Sequence, residues 1–183
     1  GCRADVVRGR GPRRRGAGGR DGVHVSNTAF DPDEPYARLA AGGLIARERA
    51  GLEGEPLWLL LRRAGSPECW DPPGGRLERG EDLAQGVRRE VHEETGLSVE
   101  VAGPCYAYLT FHKGERLLAV SMACHPVAEA EVDAIQLEPG HTAWAWRTAT
   151  EWAALAAARK SSWTPADVRR ATRLAMEIWE AET

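Results

Sequence analysis

The sequence contains no apolar run that approaches the roughly 20 residues needed to cross a bilayer. It also lacks any CxxC pair, and its N-terminal segment has no apolar stretch of the kind found in secretory signals. The four cysteines are spread along the chain, and a protein of 183 residues does not need a disulfide framework. These absences argue against a membrane-spanning or exported protein, so we expect reduced thiols, a cytoplasmic location and no membrane partner.

Positive charge is scarce outside the N-terminal segment. Residues 1–30 hold seven Arg against two Asp, which leaves a formal charge of −8 for residues 31–183 out of the overall −3. Proteins that bind nucleic acid usually present a basic surface, so we expect no nucleic-acid partner for this acidic body. An anionic substrate would therefore need a metal ion or local arginines.

Residues 1–30 are dense in Gly and Arg and have almost no apolar periodicity. Such a segment cannot bury enough surface to offset the entropy of ordering, so we predict a disordered leader. An organelle transit segment is the alternative, but the segment has little Ser and its glycines oppose an amphipathic helix. Residues 31–183 have the length and apolar content of one globular domain.

Short apolar runs separated by turn residues predict a sheet. We predict strands over 37–48, 57–63, 98–101, 105–112, 115–125 and 141–147. The first two suit an antiparallel pair, and Lys113–Gly114 suits the turn of a hairpin. The segment from Trp70 to Gly75, with two prolines and two glycines, is predicted to be a rigid loop without regular structure.

Three helices are predicted from periodicity and capping residues. Residues 81–95 carry an apolar stripe and end before Gly96, which suits a C-cap. Thr148 to Glu151 forms a capping box for a helix through about Ala158, and Thr164–Pro165 opens a final helix. The order of elements predicts an α+β sandwich with helices covering both faces of a mixed, mainly antiparallel sheet.

Three glutamates converge on the first of these helices. At 100° per residue, Glu90, Glu93 and Glu94 fall within about 100° of arc. Their mutual repulsion would destabilise the helix unless a cation offset it, and hard oxygen ligands suit Mg²⁺ or Mn²⁺. A helix face rich in Glu and Arg is, by itself, more often a solvated surface.

The spacing around these glutamates resembles the signature of the Nudix family, G-x5-E-x7-R-E-U-x-E-E-x-G-U with U aliphatic. Every specified position agrees: Gly75, Glu81, Arg89, Glu90, Val91, Glu93, Glu94, Gly96 and Leu97. A looser resemblance extends over about residues 36–158. The resemblance implies a Nudix-type α/β/α sandwich in which Glu90, Glu93 and Glu94 bind Mg²⁺, with Mn²⁺ as a substitute.

Within the signature, Gly75, Glu81 and Arg89 look like supporting residues. Gly75 permits either an unusual backbone conformation or a close approach of another group. A pair between Arg89 and Glu81 would hold the loop onto the helix, with a plain surface ion pair as the alternative.

Hydrolysis also needs a water made nucleophilic by a metal ion or by a carboxylate acting as general base. The candidates for this base are Glu93 and Glu138. In many family members the base lies on a loop before the last strand, and Glu138 has a similar position. The alternative for Glu138 is a polar turn residue before Pro139–Gly140.

Substrate contacts are less well marked. Arg62 and Arg63 at a strand end could meet phosphate, although arginines at strand ends are commonly solvated. Trp70, Tyr106 and Tyr108 could stack on a base, although aromatic residues in such positions are more often part of a core or lid.

The sequence therefore predicts a hydrolase that cleaves a phosphoanhydride bond with Mg²⁺ in a nucleoside triphosphate or a nucleoside diphosphate-linked substrate. The alternative is a non-catalytic Nudix-fold module that senses nucleotides, but such a module would be expected to have lost signature carboxylates, and all are kept. The family resemblance also makes a homodimer an expectation.

Overall fold

A computed structural model describes residues 38–47, 55–65, 68–112, 115–128 and 132–182. The predicted leader 1–30 and the hairpin turn at 113–114 lie outside these ranges. In chain order the elements are β1 (Arg38–Arg47), β2 (Leu57–Arg63), β3 (Trp70–Asp71), β4 (Gly74–Arg76), α1 (Leu83–Thr95), β5 (Val99–His112), β6 (Glu115–Pro126), β7 (His141–Thr148), α2 (Ala149–Ala157) and α3 (Pro165–Glu182). Among the described residues, no helix is both long and apolar enough to cross a membrane.

The strands form the mixed, mainly antiparallel sheet that the sequence predicts, in the order β3-β2-β1-β6-β5, with β4 beside β1 and β7 beside β2. β1 and β6 run parallel, and the other strand pairs of the described chain are antiparallel. The predicted antiparallel pairing of β1 with β2 is present but covers only Ala46 with Trp58 and Arg47 with Leu57. Most of β1 lies beside β6 instead.

Alternating side chains of the central strands build a core on each face of the sheet. On β2, Trp58 and Leu60 pack with α2 and α3, while Leu59 and Leu61 pack on the face that carries α1. This alternation is the period of two that a strand imposes. The helices on both faces confirm the predicted α+β sandwich.

Helix α1 has well-defined ends. Asp82 is its N-cap and forms a reciprocal capping box with Gln85, and Gly96 ends the helix in the left-handed conformation at φ +74°. Val87 and Val91 are fully buried against the sheet. These contacts fix the rotation of the helix about its axis, and with it the direction of the three glutamates.

The prediction of a loop without regular structure from Trp70 to Gly75 is wrong in part. Trp70–Asp71 forms β3 against β2, and Gly74–Arg76 forms β4 against β1. The two prolines lie between these short strands, where they remove no ladder hydrogen bond. Gly74 has φ +153°, and a Cβ there would lie 2.5 Å from the Cα of Gly42, so the strand requires glycine at this position.

The strands predicted separately over 98–101 and 105–112 are a single strand, β5. Its pairing with β6 shifts register between Val101 and Gly103 and again between Pro104 and Tyr106. A bulge at each shift accommodates the glycine and the proline that had suggested a break.

Two of the cysteines agree with the expectation of reduced thiols and one does not. Cys105 and Cys124 are free and buried. Burial raises the pKa of the Cys105 thiol to about 12, so this thiol is not a reactive nucleophile. Cys69 is disulfide-bonded, and its partner lies outside the described residues. The expectation is therefore wrong for Cys69.

Candidate functional site

Three segments meet around the carboxyl-terminal half of α1: the start of β4, the helix itself and the turn that leads into β7. The backbone N–H of Gly74 donates to Oε2 of Glu94 over 2.8 Å. The turn is tied to the helix because Glu138 N–H donates to the Glu94 carbonyl over 3.4 Å. These bonds bring a loop, a helix and a strand end to one place.

Glu94 is the most buried of the three glutamates, with 7% of the residue exposed. Burial raises the pKa of its carboxyl to about 7, and the nearby charges of Glu90 and Glu138 act in the same direction. The Gly74 hydrogen bond opposes the shift. Glu94 therefore occupies a position where its negative charge is not fully compensated by the protein.

The space beside Glu90 depends on Gly75. A Cβ on Gly75 would lie 2.5 Å from both carboxylate oxygens of Glu90, which no side chain could tolerate without moving the carboxylate. Of the two roles that the sequence leaves open for Gly75, the close approach is the one that the structure shows. Burial also raises the pKa of the Glu90 carboxyl, and a hydrogen bond from Arg89 opposes this effect.

Arg89 connects the loop to the helix. Its guanidinium donates to both oxygens of Glu81, over 2.7 and 3.0 Å, and to the carbonyl of Arg76 over 3.0 Å. Nη1 also reaches Glu90 at 2.9 Å and Glu93 at 3.0 Å. Only 22% of the Arg89 side chain is exposed, so this is more than a surface ion pair. The hydrogen bond from Arg89 lowers the pKa of the Glu81 carboxyl.

The structure does not bring the three helix glutamates to one point. Glu93 is 53% exposed and faces Arg89, while Glu94 faces the turn before β7. Glu90 lies between them, since it contacts Arg89 and its pKa is also raised by the charge of Glu138.

A histidine that the sequence interpretation did not single out completes the site. Nε2 of His141 lies 3.8 Å from Oε1 of Glu94, and Nδ1 lies 3.6 Å from Oε1 of Glu138. The His141 side chain is only 6% exposed, and its Nδ1 has no hydrogen-bond partner in the part of the chain that the structure describes. Burial and the charge of Arg63 lower the pKa of the imidazole. The signal available in the sequence was a histidine three residues after a candidate base.

The side chains around Glu94 fit a divalent cation. One ligand atom from each of Glu94, Glu138 and His141 lies within 4.8 Å of the other two. Two carboxylates and an imidazole are a donor set that divalent cations accept. Positive charge would also offset the repulsion that raises the pKa of Glu94 and Glu90.

The two predicted substrate residues, Arg62 and Trp70, contact each other, and Trp70 packs on the face of the sheet that carries α2 and α3. The guanidinium of Arg62 lies over the Trp70 ring, 5.8 Å from its centroid, and its Nε donates to Thr142 over 2.9 Å. Arg63 pairs with His141 across β2 and β7. The sheet thus places Arg63, whose charge acts on both Glu94 and His141, next to the acidic cluster, whereas Arg62 alternates with it along β2 and contacts Trp70.

The two tyrosines belong to the core, as the alternative interpretation held. Tyr106 is buried and donates to Asp167 over 2.6 Å, and its ring lies 5.6 Å from that of Trp163. Tyr108 contacts the same tryptophan edge-on at 5.4 Å. Tyr106 is therefore a core residue, and Tyr108 is partly buried and packs against that core.

Comparison with known proteins finds a family and a fold for this chain. The family model for the NUDIX domain matches residues 37–167. A MutT-like protein of Streptomyces ambofaciens is 33% identical over 129 residues, which are 70% of this chain and 75% of that protein. The asymmetrical bis(5′-nucleosyl)-tetraphosphatase of Caenorhabditis elegans is 30% identical over 110 residues, 58% of this chain and 76% of the other.

The crystal structure of a C. elegans Ap4A hydrolase superposes with a TM-score of 0.61 at 23% identity, covering 80% of this chain and 99% of that one. At this identity the superposition establishes the fold alone.

Proposed function

The chain belongs to the NUDIX domain family and is a pyrophosphohydrolase, and from that premise we propose that it cleaves a phosphoanhydride bond in a nucleoside triphosphate or a nucleoside diphosphate-linked substrate. The observation that carries the proposal is the cluster of Glu94, Glu138 and His141, with the Glu90 carboxylate, which Arg89 binds, close enough for its charge to act on Glu94. The described residues contain nothing that favours the non-catalytic alternative, because all three signature glutamates are present.

The proposed cofactor is Mg²⁺, with Mn²⁺ as a substitute. Glu90 and Glu94 are the proposed ligands, because burial disfavours their negative charge and a cation would compensate it. Glu93 would bind the same cation after its hydrogen bond with Arg89 breaks. A divalent cation supplies stabilisation of negative charge on the phosphates and makes water a stronger acid. The acidic body of the protein makes such a cation necessary for binding an anionic substrate.

The roles of general base, positioning residue and substrate contact are assigned to side chains of the protein. We assign the general base to Glu138, because its side chain is 40% exposed, unlike those of Glu94 and His141 in the same cluster, so that water can reach it. Glu93 is the less favoured base because Arg89 already holds it. Arg89 and Glu81 are positioning residues, and Arg62 beside Trp70 is the proposed contact for a phosphate or a base.

Among substrates of these two kinds, a dinucleoside tetraphosphate is supported by the similarity to the asymmetrical bis(5′-nucleosyl)-tetraphosphatase of C. elegans. Asymmetrical cleavage of such a substrate would release a nucleoside triphosphate and a nucleoside monophosphate. Arg63, whose charge acts on Glu94 and His141, suits a substrate with several phosphates.

A Mg²⁺-dependent screen tests the proposed function. Purified protein is incubated with nucleoside triphosphates, nucleotide sugars, dinucleoside tetraphosphates and a 5′-triphosphorylated RNA, and the products are separated by chromatography. We expect cleavage of at least one nucleotide, no cleavage in excess EDTA, and recovery with Mg²⁺ or Mn²⁺. Full activity in EDTA would contradict the role of the cation, and preference for the RNA would contradict the expected absence of a nucleic-acid partner.

Two further expectations stay predictions. The homodimer implied by the family resemblance is measured by light scattering coupled to size-exclusion chromatography. The cytoplasmic location is measured by fractionating cells that express the protein.

A further inference from the structure

The side chain of His141 lies in a setting that a structural role does not explain. It stands at the first residue of β7, nearly all of it is buried, and Nδ1 has no hydrogen-bond partner among the described residues. A buried polar atom without a partner costs free energy, so native structures rarely keep one without a reason. The two nearest carboxylates, at 3.6 and 3.8 Å, are too far for hydrogen bonds of normal strength.

The spacing of the facing atoms is that of ligands around a shared ion. Two ligand atoms that each lie about 2.1 Å from one cation are separated by roughly 3 to 4.2 Å. The distance of 3.8 Å between Nε2 of His141 and Oε1 of Glu94 falls in this range. The gap is therefore too wide for a direct bond and suited to a cation between the two atoms.

The other imidazole nitrogen faces a carboxylate. Nδ1 faces Oε1 of Glu138 at 3.6 Å without a hydrogen bond. Closure of this gap by the Glu138 side chain, which is 40% exposed, would let the carboxylate accept the Nδ1–H and hold Nε2 toward a metal. The turn supports this orientation, because the His141 N–H donates to the Glu138 carbonyl over 3.1 Å. Glu94 is held on the other side by Gly74.

We propose that Nε2 of His141 and the carboxylate of Glu94 bind the same divalent cation, so that the site is a mixed nitrogen and oxygen site rather than one built from glutamates alone. This inference rests on the proposed function, since it adds a ligand to the cation site assigned there. An imidazole ligand suits the transition metals better than Mg²⁺. The site should therefore bind Mn²⁺ and Co²⁺ more tightly than a site made only of carboxylates.

Pulsed electron paramagnetic resonance on bound Mn²⁺ tests the inference without any substrate. The full chain, free of a polyhistidine tag, is loaded with Mn²⁺, and the echo modulation from directly bound ¹⁴N is recorded. We expect imidazole nitrogen coupling in the wild type, replaced by the ¹⁵N pattern when the protein is labelled with [¹⁵N]histidine. Labelling alone identifies a histidine ligand, so the experiment does not require a folded variant.

Two variants then identify which histidine is bound. His141→Gln replaces the imidazole by an amide, and His92→Gln is the matched control, because His92 is exposed on the same helix as the glutamates. We expect His141→Gln to lose the nitrogen coupling and to bind Co²⁺ at least about 10-fold more weakly, while its affinity for Mg²⁺ changes less. His92→Gln should match the wild type in every measurement.

The outcomes separate this inference from the function it rests on. Bound Mn²⁺ without histidine coupling, or coupling that persists in His141→Gln, would overturn the role of His141 and leave the hydrolase intact if phosphate release still requires a cation. Failure to bind Mn²⁺, together with hydrolysis in excess EDTA, would overturn both.

Discussion

Arg89 and Glu81 form a two-point contact in which Nε donates to Oε1 over 2.7 Å and Nη2 donates to Oε2 over 3.0 Å. Glu81 lies before α1 and Arg89 lies within it, so the pair fixes the segment leading into the helix against its second turn. The same guanidinium reaches Glu90 and Glu93. One arginine therefore sets the positions of a loop and of two candidate metal ligands.

Arg89→Lys is expected to lower kcat by about 10- to 100-fold, the usual cost of losing a partner that orients metal ligands. Lysine keeps the charge but cannot make the paired contact with Glu81 while also reaching Glu90. The measurement is steady-state phosphate release, with Arg88→Lys as the control because Arg88 is exposed one residue away. Equal rates for both variants would show that the geometry of Arg89 does not matter.

Gly75→Ala is expected to reduce turnover by roughly 100-fold, because an error of about 1 Å in the position of a catalytic group can cost that much. The added Cβ would meet the Glu90 carboxylate, whose side chain can move, so the fold should persist. Gly103→Ala is the matched control, since a Cβ there would meet Ile178 at an ordinary 3.7 Å. Turnover and the melting temperature are measured for both variants, and normal turnover in Gly75→Ala would contradict the account.

Helical periodicity made the signature glutamates predictable, because Glu90, Glu93 and Glu94 share one helix whose apolar stripe fixes its rotation. The sequence could not place His141, because this residue joins the site only through the register of β7 against β2. Nor could it separate Glu93 from Glu94, since the difference between them arises from Arg89 on one side and Gly74 on the other. Side-chain contacts across different elements decide such details.

Edge pairing explains the main error in the fold prediction. The short strands β3 and β4 form where the sheet offers a partner, although Trp70 to Gly75 has the composition of a loop. Tertiary pairing outweighs local propensity there.

The buried carboxyl of Glu94 predicts a pH-dependent stability for the metal-free protein. Its pKa is raised to about 7 in the folded state, so the folded protein binds more protons than the unfolded one between about pH 4.5 and 7. Stability should therefore be fully present below this window and fall as the pH rises through it. The raised pKa of Glu94 corresponds to a difference of about 3 kcal/mol in the free energy of unfolding between the two ends of this pH window.

Glu94→Gln should remove the fall in stability with rising pH, because glutamine does not titrate. In urea denaturation with EDTA, we expect the variant and wild type to be similar at pH 5 and the variant to be more stable at pH 8. Glu100→Gln, at an exposed position on β5, is the control and should follow the wild type. A wild type that gains stability relative to Glu94→Gln as the pH rises would have the opposite sign and contradict the assignment.

The leader of residues 1–30 is predicted to be dispensable, because it lacks the apolar pattern of a core and residues 31–183 are proposed to be the catalytic domain. A chain that begins at Asp31 should hydrolyse the substrate with the kcat and KM of the full chain. A truncated chain that folds, as shown by circular dichroism, but does not turn over would make the leader part of the site.

The most direct test of the metal-dependent mechanism is the turnover of Glu93→Gln and Glu94→Gln on a substrate that the wild type hydrolyses. Stabilisation of transition-state charge by a cation is worth several kcal/mol, and each 1.36 kcal/mol is about tenfold in rate, so the loss of one anionic ligand should lower kcat by on the order of 10² to 10³. Glu138→Gln should give a loss that depends on pH, as expected for a base. Both ligand variants should remain folded, and they should gain less thermal stability from Mg²⁺ than the wild type. Near-normal kcat in both would mean that the helix glutamates are a solvated surface and would contradict the account.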